Sequence, residues 1–160
     1  MRKQPTLLSF ISLVYSVHAS CPSGWLRHNN TCYHFSHDTE AWSNAVAMCH
    51  MLDGKLVEIE TADENAFLAS MSMRFNKNYW IALSDIQEEG IWVWMESKKP
   101  LSQIRFSHWH SGQPDNNGQN QNCATINGAG DDGHWYDWYC SYTTVYYICE
   151  KEDRESEIIG

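Results

Sequence analysis

An α+β fold, with two helices, antiparallel sheets and a long loop region, is the expectation for this 160-residue chain. Three observations carry it. Apolar residues recur at helical spacing twice between Asp38 and Met71, the period turns strand-like from Tyr79 onward, and six cysteines punctuate the whole length.

Met1-Arg2-Lys3, an apolar run from Leu7 to Val17 and then Val17-His18-Ala19 read as a secretory signal peptide cleaved after Ala19. The run falls short of the roughly 18 to 20 apolar residues that crossing hydrocarbon requires, which argues against membrane insertion. The expected division is therefore a signal peptide over 1–19, one domain over 20–150 and an acidic tail over 151–160, in a secreted, extracellular protein. Cys21, Cys32, Cys49, Cys123, Cys140 and Cys149 favour disulfides in such a chain, because zinc would need close-set pairs such as Cys-x-x-Cys. Counting alone leaves fifteen pairings open. A formal charge of −9 argues against nucleic-acid backbones and anionic membranes as partners and favours cations.

Pro22, Gly24 and Asn29-Asn30 between Cys21 and Cys32 predict a small hairpin, with the glycosylation sequon Asn29-Asn30-Thr31 at its tip. Between Asp38 and Leu52, the residues Ala41, Ala45, Met48, Cys49 and Leu52 make a helical stripe that Asp53-Gly54 stops. Leu56-Val57-Glu58-Ile59 reads as a strand. Thr61-Ala-Asp-Glu64 matches a capping box ahead of Ala66, Phe67, Leu68 and Met71, which predicts a second amphipathic helix. Tyr79–Leu83, Ile91–Trp94 and Tyr146–Cys149 are read as strands. From Pro100 to Gly133 the chain is rich in Gly, Asn and Gln, and a loop of that length inside a compact domain is more often functional than idle.

Trp80-Ile-Ala-Leu83, Gly90-Ile-Trp-Val-Trp94, Trp109-x-x-Gly-Gln-Pro-Asp115 and Trp135-Tyr-Asp137, in this order among these cysteines, resemble the C-type lectin domain over essentially all of the mature chain. Cys21 and Cys32 mark its long form. The layout looks most like soluble invertebrate lectins, including the perlucin-like proteins of molluscs. The resemblance implies the bridges Cys21–Cys32, Cys49–Cys149 and Cys123–Cys140.

It also implies a Ca²⁺ site whose ligands hydrogen-bond two neighbouring sugar hydroxyls. By position the metal ligands become Gln113, Asp115, Gln121 and Asp137, and the carbohydrate-binding set adds Tyr136. A cis Gln113-Pro114 bond is expected to turn Gln113 and Asp115 to one side of the loop. The amide-then-acid order is that of galactose-type members, so glycans with galactose-type hydroxyls are the expected partners, microbial surfaces among them. Two departures weaken the pattern: Gln121 is neutral where an acid is usual, and Tyr136 offers a phenol in place of an amide oxygen. Asn116-Asn117 stands where galactose-type sites place a stacking tryptophan, a face that Tyr136 or His134 could supply. Asp131-Asp132 either restores charge near the ion or solvates a turn. A second calcium position maps to Asp85, Glu89, Asn116 and Asn122.

His108 and His110 flank a tryptophan expected in the core and are expected to face solvent. No Gly-x-Ser-x-Gly, His-Glu-x-x-His or phosphate loop is present, and an enzyme is not expected. Three functions remain in competition: a secreted calcium-dependent lectin with a role in innate immune recognition, a matrix or biomineral protein of perlucin type, and a lectin-like domain docking a protein without calcium.

Overall fold

A computed structural model describes residues 21–130 and 133–153. The segment read as a signal peptide, the pair Asp131-Asp132 and the last residues of the tail lie outside the described residues. The order is β1 (Leu26–His28), β2 (Thr31–Phe35), α1 (Trp42–Met51), β3 (Lys55–Leu56), α2 (Ala62–Phe75), β4 (Asn78–Ser84), β5 (Val93–Trp94), β6 (Cys123–Asn127), β7 (Trp135–Trp138) and β8 (Tyr146–Glu152). The strands form one sheet in the order β1-β2-β8-β4-β6-β7, with β3 on β8 and β5 on β4. The antiparallel expectation needs one correction, because β4 and β8 run parallel where Tyr79 pairs with Tyr146 and Trp80 with Tyr147.

The bridges are Cys21–Cys32, Cys49–Cys149 and Cys123–Cys140, as the resemblance implies. Cys49–Cys149 ties α1 to β8 across 100 residues. In the chain-entropy model a closure of that length contributes about 4 to 5 kcal/mol.

Helix α1 begins at Trp42, later than Asp38, because Glu40 is held by Val145 (N–H to O, 3.1 Å) and the Trp42 N–H donates to the Cys140 carbonyl at 3.0 Å. Its buried stripe is Trp42, Ala45, Val46 and Cys49, rotated from the expected one, and Leu52 is exposed. The cause is Trp42, whose indole N–H reaches the Ile81 carbonyl at 2.9 Å and anchors the helix to β4. Helix α2 is capped as expected, the Thr61 hydroxyl accepting from the Glu64 N–H at 3.2 Å. Glu64 returns its bond to the Glu60 N–H at 3.0 Å, one residue before the cap. Ala66 is exposed, and the buried face is Asn65, Leu68, Ala69 and Ser72. Asn65 accepts the Trp135 indole N–H at 2.8 Å, joining α2 to β7.

Of the strand expected over Leu56–Ile59, only Lys55–Leu56 pairs regularly. Val57 wedges between two strands: its N–H donates to Ile148 at 2.9 Å while its carbonyl accepts from Ala82 at 2.8 Å. Val57 and Ile59 are fully buried all the same. The strand expected over Ile91–Trp94 shortens to Val93–Trp94. Strand β8 runs through Glu152 and Asp153 is buried, so the domain takes in the first three residues assigned to the tail.

The turn after β6 packs on α2 so closely that a side chain at Gly128 would collide with the Ser72 backbone, and one at Gly133 with Ala69. Glycine is required there because it presents no Cβ.

Beside the start of α2, the buried Glu58 and Glu150 share the cation Lys55 at 3.3 and 3.4 Å, and the half-buried Glu64 feels the same charge. Glu58 accepts from the Glu96 and Ser97 N–H groups at 2.8 and 3.0 Å, Glu150 from the Glu58 N–H at 2.9 Å, and Glu64 from the Tyr33 hydroxyl at 2.8 Å. Burial pushes the Glu150 carboxyl up to about 7, against the pull of Lys55.

Candidate functional site: a polar loop folded on Asp137

Along β7 the side chains alternate, so Trp135 and Asp137 enter the protein while Tyr136 and Trp138 lie on the other face. Asp137 is 1% exposed. Its carboxylate collects the long loop: one oxygen accepts from the Asp115 N–H at 3.2 Å and the other from the Asn116 N–H at 2.6 Å. The Gln113 side-chain oxygen in turn lies 3.4 Å from the Asp137 N–H. The Gln113-Pro114 peptide is cis.

The network extends beyond the tripeptide. Asn116, in the left-handed conformation at φ 45°, accepts from the Gln121 N–H at 3.0 Å, and the exposed Asp115 accepts from the Asn117 N–H at 3.0 Å. The Tyr139 hydroxyl donates to the Asn117 carbonyl at 2.9 Å. A segment of low apolar content thus acquires its shape from hydrogen bonds to one buried carboxylate, since it has no apolar face of its own to bury.

Gln113, Asp115, Gln121 and Asp137 are therefore members of one network. The Tyr136 ring stacks on His110 at 4.9 Å between centroids. His108 and His110 correct the expectation that they face solvent. Both are half-buried, His108 stacking on His134 at 4.4 Å and 6°. The reason is a short parallel pairing of residues 108–110 with Trp135, which sends Trp109 inward and both histidines outward onto His134 and Tyr136.

Sequence reading placed Asp85 only in the second calcium position, yet it belongs to this same electrostatic unit. It follows β4 directly, its N–H donates to the Asn122 carbonyl at 3.2 Å, and it is 3% exposed. Burial pushes its carboxyl above the usual range, partly opposed by the Gly90 N–H, and the Asp137 charge adds to the rise. Burial likewise pushes Asp137 up, against the N–H groups of Asn116 and Asp115. Its place at the end of a core strand beside Cys123 was the available signal. Glu89, from the same expected position, is exposed and adds its charge to the same rise.

Three buried oxygens here have no donor among the described residues: Asp85 Oδ1, Gln121 Oε1 and Asn122 Oδ1. A buried acceptor left unpaired costs about 1 to 3 kcal/mol. Oxygens of this kind, beside two buried carboxylates, suit a hard cation, and the residues present fit calcium. Among the described residues no three acidic, histidine or cysteine side chains converge at this loop, so the donor set is rich in amides and poor in charge.

These are the features of a C-type lectin domain, and the chain belongs to that family, a class of non-enzymatic carbohydrate-binding domains: residues 38–151 match the family model described as the lectin C-type domain. Among curated relatives it is 34% identical to a perlucin-like protein of Mytilus galloprovincialis over 133 residues, covering 81% of this chain and 82% of the mussel protein. It is 37% identical over 131 residues to C-type lectin domain family 4 member M of Gorilla gorilla gorilla, covering 82% of this chain but only 33% of that longer protein. Among solved structures, the cow CD23 carbohydrate-recognition domain, crystallised in the presence of GlcNAc2Man3 oligosaccharide, superposes with a TM-score of 0.73 at 30% identity, over 84% of this chain and 97% of that one. No helix among the described residues is long and apolar enough to cross a membrane.

Proposed function

We propose that this protein is a secreted, calcium-dependent lectin that binds glycans of galactose-type hydroxyl arrangement, microbial surface glycans among them. The observation that carries the reading is the set of donorless buried oxygens on Asp85, Gln121 and Asn122 beside Asp137. Gln113, Asp115, Gln121 and Asp137 would hold the ion, and Asp85 and Asn122 would serve the second calcium position. Bound calcium supplies a hard cation to which two neighbouring sugar hydroxyl oxygens ligate.

The chain's own residues do the rest. Asp137 fixes the backbone of Asp115 and Asn116, so the loop is shaped before any ligand arrives. Gln113 can donate through its amide N–H groups and Asp115 can accept through its carboxylate, the order that supports a galactose-type preference. The Tyr136–His110 stack offers a ring face on the neighbouring side of β7.

The test is galactose elution from an immobilised-galactose column, with and without chelator. Retention that chelator abolishes supports the reading. Retention indifferent to chelator sinks the calcium dependence, and no retention with calcium present sinks the galactose preference. Calcium binding without any glycan binding would instead favour the matrix role, in which the acidic surface engages mineral.

A further inference from the structure

A cavity of about 400 Å³ opens between the end of α2, the start of β4, β6 and the segment after β7. It is lined on the β7 face that carries Trp138, away from Asp137, and shares no residue with the cation loop. Its rings are unusually available. Among the described large apolar side chains that are exposed, the two aromatic ones are Phe75 and Tyr142, and both line this cavity. Trp138 packs edge-on against Tyr142 at 5.7 Å, and Tyr139 stacks on Tyr142 at 5.4 Å, which holds the ring at the rim.

Apart from Lys77, the polar lining is neutral among the described residues. Asn78 and Asn127 each commit the side-chain oxygen within the fold, Asn78 to the Gly128 and Ala129 N–H groups at 3.2 and 3.1 Å, Asn127 to the Thr125 hydroxyl at 2.9 Å. Each amide NH₂ is thereby fixed in orientation, with no acceptor among the described residues. Lys77 sits over the Tyr146 ring at 3.8 Å, and among the described residues no carboxylate lines the cavity although the chain carries a net charge of −9.

Ring faces beside oriented amide donors match a pyranose, which has an apolar C–H face and a rim of hydroxyls. A hydrocarbon would leave the amides unpaired, a cation would meet no carboxylate among the described residues, and an anion would meet only Lys77, already engaged with the Tyr146 ring. We infer that this groove is a second saccharide site that takes an uncharged oligosaccharide without any metal.

The experiment is an amide NMR titration of the ¹⁵N-labelled chain in EDTA with chitotriose, mannotriose and lactose. The expected result is a saturable shift of the Trp138 indole N–H and the Asn78 and Asn127 side-chain signals with at least one probe. Tyr142→Ala weakens that binding by about fivefold or more, the effect of losing one ring face. The same variant leaves chelator-sensitive column retention unchanged, and unmoved Trp80 and Trp94 indole signals report an intact core. No saturable shift at those signals with any of the three probes overturns the inference, as does full affinity in Tyr142→Ala. Because chelator is present throughout, the outcome is independent of whether the loop around Asp137 binds calcium.

Discussion

Two groups of buried acids sit in this domain, and they are completed differently. Beside the start of α2, Glu58, Glu64 and Glu150 have protein donors on hand: backbone N–H groups, the Tyr33 hydroxyl and the Lys55 ammonium. Around Asp137, Asp85 Oδ1 and two amide oxygens have no donor among the described residues. The first group carries its own cation and behaves as scaffold. The second lacks one, and that deficit marks it for something brought from outside. Acid content alone does not separate the two, but the donor inventory does.

The largest effect expected is that of Asp137→Ala. It deletes an ion ligand and leaves the Asp115 and Asn116 N–H groups without their acceptor. Calorimetric titration should show calcium and calcium-dependent glycan binding abolished, and thermal denaturation should show a loss of about 1 to 3 kcal/mol concentrated in the loop. Retained binding would place the cation elsewhere and remove the contrast between the groups.

On the scaffold side, Glu58→Ala strips the Glu96 and Ser97 N–H groups of their acceptor and costs about 3 kcal/mol in chemical denaturation, while calcium affinity stays unchanged. A loss of calcium affinity in this variant would show that the two groups are coupled.

Glu150 gives a pH signature. Its carboxyl is raised from 4.5 to about 7, so the folded state binds more protons than the unfolded state between those values. The stability this contributes is fully present below 4.5 and is lost as pH rises through about 7, amounting to up to about 3 kcal/mol. Glu150→Gln should flatten that slope in denaturation measured across the window. A slope equal to that of the native chain would mean that Lys55 already keeps the carboxylate charged.

The smallest effect sharpens the cation side. Gln121→Glu adds a formal charge beside Asp137 and Asp85 and should tighten calcium by about tenfold. Adding Tyr136→Asn should change little more, since the Tyr136 ring is already engaged in its stack on His110. A gain that needs both changes would show that the phenol position does face the ion.

Much of the scaffold was legible because it obeys simple periods. Thr61 and Glu64 announce α2, Trp80–Leu83 is an unbroken buried run, and the order of the cysteines through a family resemblance gives the pairing. The strands β6 and β7 were not read, for physical reasons. Cys123-Ala-Thr-Ile-Asn127 is buried on both faces and does not alternate, and Trp135-Tyr-Asp-Trp138 turns its charged residue inward. Asp137 points to the core because the loop needs its carboxylate there, which inverts the rule that polar residues face out. Asp85 was legible as a member of the second calcium position, but not its burial or the effect of the Asp137 charge on it. Ring stacking of His108 and His110 was invisible for a further reason: it arises from a pairing with Trp135 that local pattern does not encode.

Strand β8 lies between β2 and β4 and also receives β3, although it is the last of the described strands. On the ribosome, therefore, the amino-terminal hairpin and the β4-β6-β7 sheet are made without the strip that joins them, and Cys49 waits for a partner 100 residues later. A message truncated before Tyr146 would yield two half-sheets with open edges and an orphan thiol, a species prone to strand-to-strand aggregation. Assembly of this domain is thus concentrated in the moment when β8 emerges, when seven residues turn two unfinished pieces into one domain.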